Sequence, residues 1–308
     1  MNVLTKPKFN IQSFYDGLVT PMKKMKNLDE NNAILIKPYL LNLYSKFISE
    51  ENNYDSCLVE DTHDFLCDDK EFVTSKINDI TGETESTIIL DANDISYLYN
   101  RFQKVNKEYK SILSLAMIGR CPYCEKKDAD EIDHFFPKKK YPIYSITPNN
   151  LIPSCHRCNQ YKGEKSLQVI HPYYHDYNKI DWFKCYIEIR DNTLVVTFEV
   201  NPFILQSNNI ESIRIKNTIK IFHLKSRYQD WSTLLFYKYI NTWTNYYCSL
   251  NNVDGKGRVI QHIEEKIKEY QLSNHTKNSY QILFLKELAN TFDDLSTNDM
   301  EQLFKITH

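Results

Sequence analysis

Asp133 and His134 stand side by side, followed by Asn150 and Asn159, all inside a stretch framed by Cys121, Cys124, Cys155 and Cys158. A neutral imidazole is the side chain best suited to take a proton from water near neutral pH. A carboxylate and an amide oxygen suit a hard cation such as Mg²⁺ or Mn²⁺, which prefers oxygen ligands and keeps several waters. Hydrolysis of a phosphodiester asks for such a set: a base for the water, a cation for the charge on phosphate and leaving oxygen, and groups that orient both. From His134 to Lys165 the chain also carries Lys138, Lys139, Lys140, Arg157, Lys162 and Lys165 against a single acid, Glu164. A local basic stretch of this kind suits contact with a phosphate backbone.

The cysteines fall into two groups. Cys121-Pro122-Tyr123-Cys124 and Cys155-His156-Arg157-Cys158 are CxxC pairs thirty residues apart, a spacing that lets two knuckles supply four thiolates to one tetrahedral Zn²⁺. A disulfide framework is disfavoured because the opening "MNVLTKPKFNIQSFYDG" lacks the apolar core of a secretory signal. A thioredoxin-type redox pair needs only one CxxC, so zinc is the reading that uses all four residues. With four thiolates there is no open position for water, and the ion is structural. Cys57, Cys67, Cys185 and Cys248 occur singly and read as small buried hydrophobes.

Secondary structure must bring these residues together. Residues 130–136 read as a short strand ended by Pro137, "KKKYPIYSITP" as a loop, and Asn150–Pro153 as a second strand. Ser154 or Cys155 then opens a helix that Gly163 helps to end. Upstream, Ile95, Leu98, Phe102, Val105, Tyr109, Ile112 and Ala116 form one helical stripe with Asp94 as a candidate N-cap, delivering the chain to the first knuckle. Asn31–Glu50 reads as helical with Pro38 interrupting it, and residues 51–90 as irregular apart from short strands such as Thr87–Leu90. Downstream, "CYIEIRDNTLVVTFEV" alternates around Asp191-Asn192 as a hairpin, and the chain from Ser207 on is helical, with Trp231, Phe236 and Trp243 in its core. The expected fold class is α+β: a mainly helical region over residues 1–118, a zinc-bound strand-strand-helix core over 119–168, and a hairpin with helices over 169–308.

Composition sets the outer bounds. A chain of 308 residues with 42% hydrophobic and 25% charged residues can bury a real core. Its net charge of −2 excludes a protein that coats nucleic acid or anionic membrane with its whole surface, though not a local basic site. No apolar run approaches the ~20 residues that span a bilayer, so the expected location is the cytoplasm, with no membrane partner.

Asp133-His134, Asn150-Leu151 and Cys158-Asn159-Gln160-Tyr161-Lys162 together resemble the motif of the HNH endonucleases, the ββα-metal superfamily, in its zinc-bearing branch with paired CxxC. The "HPYY" at His171–Tyr174, Trp182 and the opening "LTKPKF" are similar to a group of bacterial HNH proteins found among antiphage defence genes. The resemblance implies roles. His134 is the general base, Asp133 and Asn159 hold one catalytic Mg²⁺ or Mn²⁺, Asn150 (rather than Asn149) fixes the loop and orients His134, and the four cysteines hold structural Zn²⁺. Lys138, Lys139, Lys140, Lys162 and Lys165 become candidate contacts to nucleic acid, DNA over RNA, and an ATPase encoded nearby a candidate regulatory partner. His156 reads as an exposed helix residue and His171 and His175 as loop packing. The competing reading is a zinc-stabilised module that binds nucleic acid or protein without catalysis. Such a module has no use for Asp133, His134 and Asn159 together.

Overall fold

The computed structural model describes residues 3–19, 40–41, 44–45, 71–77, 80–105, 107–141, 144–165, 168–191, 193–249 and 252–305. It divides the chain into two compact units: one of residues 4–122 and 126–174, the other of residues 1–3, 123–125 and 175–308. The architecture is α+β, and among the described residues there are three separate two-stranded antiparallel sheets beside many helices.

In the first unit, α1 (Ile11–Val19) is followed by β1 (Glu71–Ile77) and β2 (Thr84–Asp91), paired in register from Glu71 opposite Asp91 to a shift at Lys76/Ile77. This corrects the expectation of an irregular stretch. "EFVTSKI" and "TESTIILD" are rich in the β-branched residues that fit a pleated ribbon, and Gly82 (φ +70°) supplies the turn. The Thr87–Leu90 strand is part of β2. Of the helix expected over Asn31–Glu50, only residues 40–41 and 44–45 are described, and they are helical; Pro38 and residues 51–70 lie outside the described residues.

The helical stripe is carried by two helices, α2 (Ala92–Val105) and α3 (Lys107–Leu113). α2 begins directly after β2, which puts Asp94 inside the first turn and not at the cap. Leu98, Phe102, Ile112 and Ala116 are buried along the stripe, and α3 packs on the short sheet that follows. Gly119, at φ +69°, turns the chain into the first cysteine pair.

That sheet pairs β3 (Glu131–His134) with β4 (Leu151–Ser154), with Asp133 opposite Ile152 and His134 opposite Leu151. Pro153 is tolerated because a two-stranded ribbon has an outer edge on each strand, where a missing N–H breaks no ladder bond. α4 (His156–Lys162) follows with Cys155 at its N-cap and Gly163, at φ +50°, at its C-cap, and it lies on β3.

In the second unit, β5 (Phe183–Arg190) and β6 (Thr193–Val200) form an eight-pair hairpin whose turn starts at Asp191 (φ +48°). Helices α5 (Pro202–Gln206), α6 (Ile210–Ile221), α7 (Leu224–Ser249), α8 (Asn252–Leu272), α9 (Tyr280–Asp294) and α10 (Thr297–Lys305) complete it. β5 packs on α9 and β6 on α7. Phe183, Phe198, Tyr228, Trp231 and Tyr280 make a continuous aromatic cluster at ring spacings of 5.3–6.1 Å. Trp231, Phe236 and Trp243 are buried, as expected of core residues.

Candidate functional site

The four motif cysteines converge. Their sulfurs all lie within 4.8 Å of one another and all four residues are buried. A tetrahedral zinc with Zn–S near 2.3 Å has S···S edges of about 3.8 Å, so the cluster fits one shared ion with a small contraction. Two features shape the knuckles. Cys121 N–H donates to the Lys127 carbonyl at 2.8 Å, closing the turn, and Glu125 takes a positive φ of 56° directly after Cys124. On the other side Cys155 is both a member of the cluster and the N-cap of α4, so an ion held by the four thiolates would fix where that helix begins.

His134 ends β3, buried at 9% relative exposure. Its Nε2–H donates to the Ser145 carbonyl at 3.0 Å; a carbonyl can only accept, so Nδ1 is left as the basic nitrogen. The Tyr99 ring from α2 lies 4.4 Å from the imidazole, tilted by 59°, and limits how the ring can turn. Burial pushes the imidazole down to about 3; the Ser145 carbonyl opposes this, while Lys138 and Lys162 push further the same way. The imidazole is therefore neutral at physiological pH.

Asn150 is fully buried at the junction of loop and β4. Its Oδ1 accepts from Phe136 N–H at 2.7 Å, and its Nδ2 donates to the carbonyls of Phe136 at 3.2 Å and Tyr144 at 3.1 Å. One side chain thus ties the first residues of the loop to its far side. Asn149, its neighbour, reaches instead to the Tyr174 hydroxyl.

Asp133, His134 and Asn159 line one cleft of about 170 Å³ together with Pro137, Lys138, Lys139, Gly163 and Glu164. Lys138 and Lys139 are exposed, Lys138 with its ammonium 5.2 Å from the Tyr99 ring centre and Lys139 paired with Glu164. Lys140 and Lys165 are also exposed but do not line the cleft; Lys165 Nζ donates to the Tyr161 carbonyl at 2.7 Å.

Lys162 departs from the expected surface contact. It is 1% exposed, its Nζ lies 3.1 Å from Asp133 Oδ1, and it also donates to the His134 carbonyl. The reason is helical geometry: three residues beyond Asn159, it lies on the face of α4 that packs on β3.

Two participants were not singled out from the sequence. Glu131 lies two residues before Asp133, hence on the same face of β3. Its Oε2 accepts from Asn159 Nδ2 at 2.8 Å and its Oε1 pairs with His156 Nδ1 at 2.6 Å. The strand period alone could have found it. Tyr99 carried no signal beyond its place in the helical stripe. His156 is exposed, as read. His171 is buried within the loop, its ring 4.0 Å from Phe135, and accepts at Nδ1 from Tyr173 N–H. The "HPYY" and "LTKPKF" segments meet: Leu4 N–H donates to the Pro172 carbonyl at 2.9 Å, and Lys6 Nζ lies 4.3 Å from the Tyr174 ring centre.

A cysteine-clamped strand-strand-helix unit that brings Asp133, His134 and Asn159 to one cleft, with Asn150 tethering the loop behind it, is the arrangement of an HNH endonuclease domain, and residues 121–165 match the HNH endonuclease family model. The chain is 43% identical over 112 residues to Protein ea31 of Escherichia phage lambda, covering 31% of this chain and 37% of that protein. It is 34% identical over 101 residues to Septu protein PtuB of Bacillus thuringiensis, covering 26% of this chain and 39% of that protein. The matches thus span less than half of either relative. No solved structure matches at a significant level. Among the described residues, no helix is long and apolar enough to cross a membrane.

Proposed function

We propose that this chain is a divalent-metal-dependent endonuclease that hydrolyses DNA in preference to RNA and serves in bacterial antiphage defence. The observation that carries the reading is the cleft where Asp133, His134 and Asn159 meet Lys138 and Lys139. A binding module would need the lysines and the cysteine cluster, but not an imidazole locked in one tautomer beside a buried carboxylate.

His134 Nδ1 takes the proton of the attacking water, and Nε2–H, held by Ser145, keeps the ring oriented. Burial is the main cause of the lowered basicity of His134; the negative charge of a phosphodiester seated on Lys138 and Lys139 opposes only the smaller push of Lys138 and Lys162 on the imidazole. Asp133 and Asn159, with Glu131 beside them, offer oxygen donors of the kind Mg²⁺ or Mn²⁺ prefers. When bound there, the cation neutralises charge on the phosphate and the leaving 3′ oxygen. The cysteine cluster holds Zn²⁺ for structure only. The likeness to Septu protein PtuB supports the defence role, and a nuclease kept in a cell with its own DNA calls for restraint, for which an ATPase partner encoded nearby is the proposed source.

The test is cleavage of supercoiled plasmid, linear duplex, single-stranded DNA and tRNA across divalent ions. His134→Ala should lose ~10²–10⁴-fold in rate while keeping zinc content and substrate binding, the usual weight of a positioned base. If it cuts any of these substrates as fast as the parent, the catalytic reading is wrong and the binding module replaces it.

A further inference from the structure

We propose that Lys162 is a built-in counter-ion of the cation site and makes divalent-cation binding conditional on nucleic acid. The proposal rests on the metal-dependent reading above and concerns how that site is loaded.

Lys162 and Asp133 are both almost fully buried, at 1% and 2% exposure, with Nζ 3.1 Å from Oδ1 and a second donation to the His134 carbonyl. A buried ammonium is costly unless a charge and a hydrogen-bond acceptor are supplied, and here one carboxylate supplies the charge. The same carboxylate is the acid on which a cation in the cleft would depend. The other acid lining the cleft, Glu164, is already paired with Lys139, and Lys138 stands beside it with no carboxylate given to it by the cleft lining. Both acids that line the cleft are thus already paired with an ammonium, Glu164 with Lys139 and Asp133 with the buried Lys162, while Glu131 beside them is engaged by Asn159 and His156.

A divalent ion entering such a site gains one carboxylate that is already neutralised and meets an ammonium at close range. Binding of the ion alone is therefore weak. A phosphodiester adds the negative charge that the site lacks, next to Lys138, so ion and nucleic acid each favour the other. Reciprocity follows from linkage: if DNA tightens the ion, the ion tightens DNA by the same factor. A surface lysine could not have this effect, because solvent and salt would screen it.

The experiment is Mn²⁺ titration of the full-length zinc-loaded chain, read by calorimetry and by Mn²⁺ electron paramagnetic resonance. Lys162→Met removes the charge at similar length, and Lys162→Gln also keeps a donor for the His134 carbonyl. Without nucleic acid, both should bind Mn²⁺ about tenfold or more tightly than the parent, since like charges a few Å apart repel strongly even at an effective dielectric near 20. A lysine of merely structural use would, on removal, weaken the site and not tighten it. Asp133→Asn should abolish the signal in every background, assigning it to the cleft. In a His134→Ala chain, whose turnover is slow enough to leave the duplex intact during the titration, a short DNA duplex should tighten Mn²⁺ when Lys162 is present and do so far less when it is Met. If Asp133→Asn abolishes binding but Lys162→Met and Lys162→Gln leave affinity unchanged or lower with zinc retained, the counter-ion role is overturned and the nuclease reading stands. If neither variant keeps its zinc, the duplex effect on the His134→Ala chain decides, and its absence overturns the proposal. If no variant or parent binds Mn²⁺ in any condition, the metal-dependent reading itself falls.

Discussion

Replacing Asn150 by Ala should open the loop between β3 and β4 without dismantling the rest of the unit. The substitution removes three hydrogen bonds at once, those to Phe136 N–H, the Phe136 carbonyl and the Tyr144 carbonyl. At about 1 kcal/mol net each, the loss is about 3 kcal/mol, with a further penalty wherever a stranded group stays dry. Since every 1.4 kcal/mol is tenfold, local opening of the segment becomes about 10²-fold more frequent. Asn150→Asp is the sharper probe. It keeps the acceptor for Phe136 N–H but turns the donor into an oxygen facing two carbonyls, and it buries a charge. At neutral pH it should cost at least as much as Ala. Hydrogen exchange of peptides covering Phe135 to Asn150, on zinc-loaded protein, reads the effect directly, because global unfolding of a two-unit chain is not a single transition. Protection that stays within about threefold of the parent, under roughly 0.7 kcal/mol, would show that the loop is held by something else. Because Ser145 lies in the same loop, looser tethering should also release Nε2 of His134 and lower turnover.

Further outcomes are expected. Metal analysis should find about one zinc per chain, and a strong chelator should unfold the region 121–165 as seen by hydrogen exchange, since a structural zinc site carries folding free energy; a fully folded zinc-free protein would refute this. Gly255→Ala should destabilise the second unit by about 1–3 kcal/mol in urea unfolding, because the added Cβ would sit 2.4 Å from the Tyr247 carbonyl oxygen where α7 and α8 approach. Burial holds the His175 imidazole down to about 4, stacked on Tyr177 at 5.5 Å. Its contribution to stability is thus complete above the ordinary value of 6.5 and is lost as pH falls through about 4, so His175→Phe should show a shallower acid loss of thermal midpoint than the parent.

The four-cysteine cluster and the order Asp-His, Asn, Asn were legible in the sequence because each depends on local spacing: a CxxC closes on itself, and an apolar-flanked Asp-His before a loop is a strand end. The hairpin around Asp191 was legible for the same reason, with strict alternation on both sides of a turn residue. What stayed hidden depends on which face of an element meets another. Lys162 reads as solvated in any sequence, and only the seating of α4 on β3 turns it inward onto Asp133. Glu131 is one acid among many until the strand period is aligned with Asn159. The β1–β2 hairpin was missed because acids are mixed with its β-branched residues, which blurs the alternation that marks a strand.

The single-residue tether of the loop has a consequence for how such a protein can diversify. Asn150 grips the backbone at Phe136 and Tyr144, and makes no demand on the side chains in between. Lys138, Lys139 and Lys140 all fall within that bracket. The side chains on that loop can therefore vary between relatives while the backbone at Phe136 and Tyr144 keeps its place, and with it the Ser145 carbonyl that holds His134.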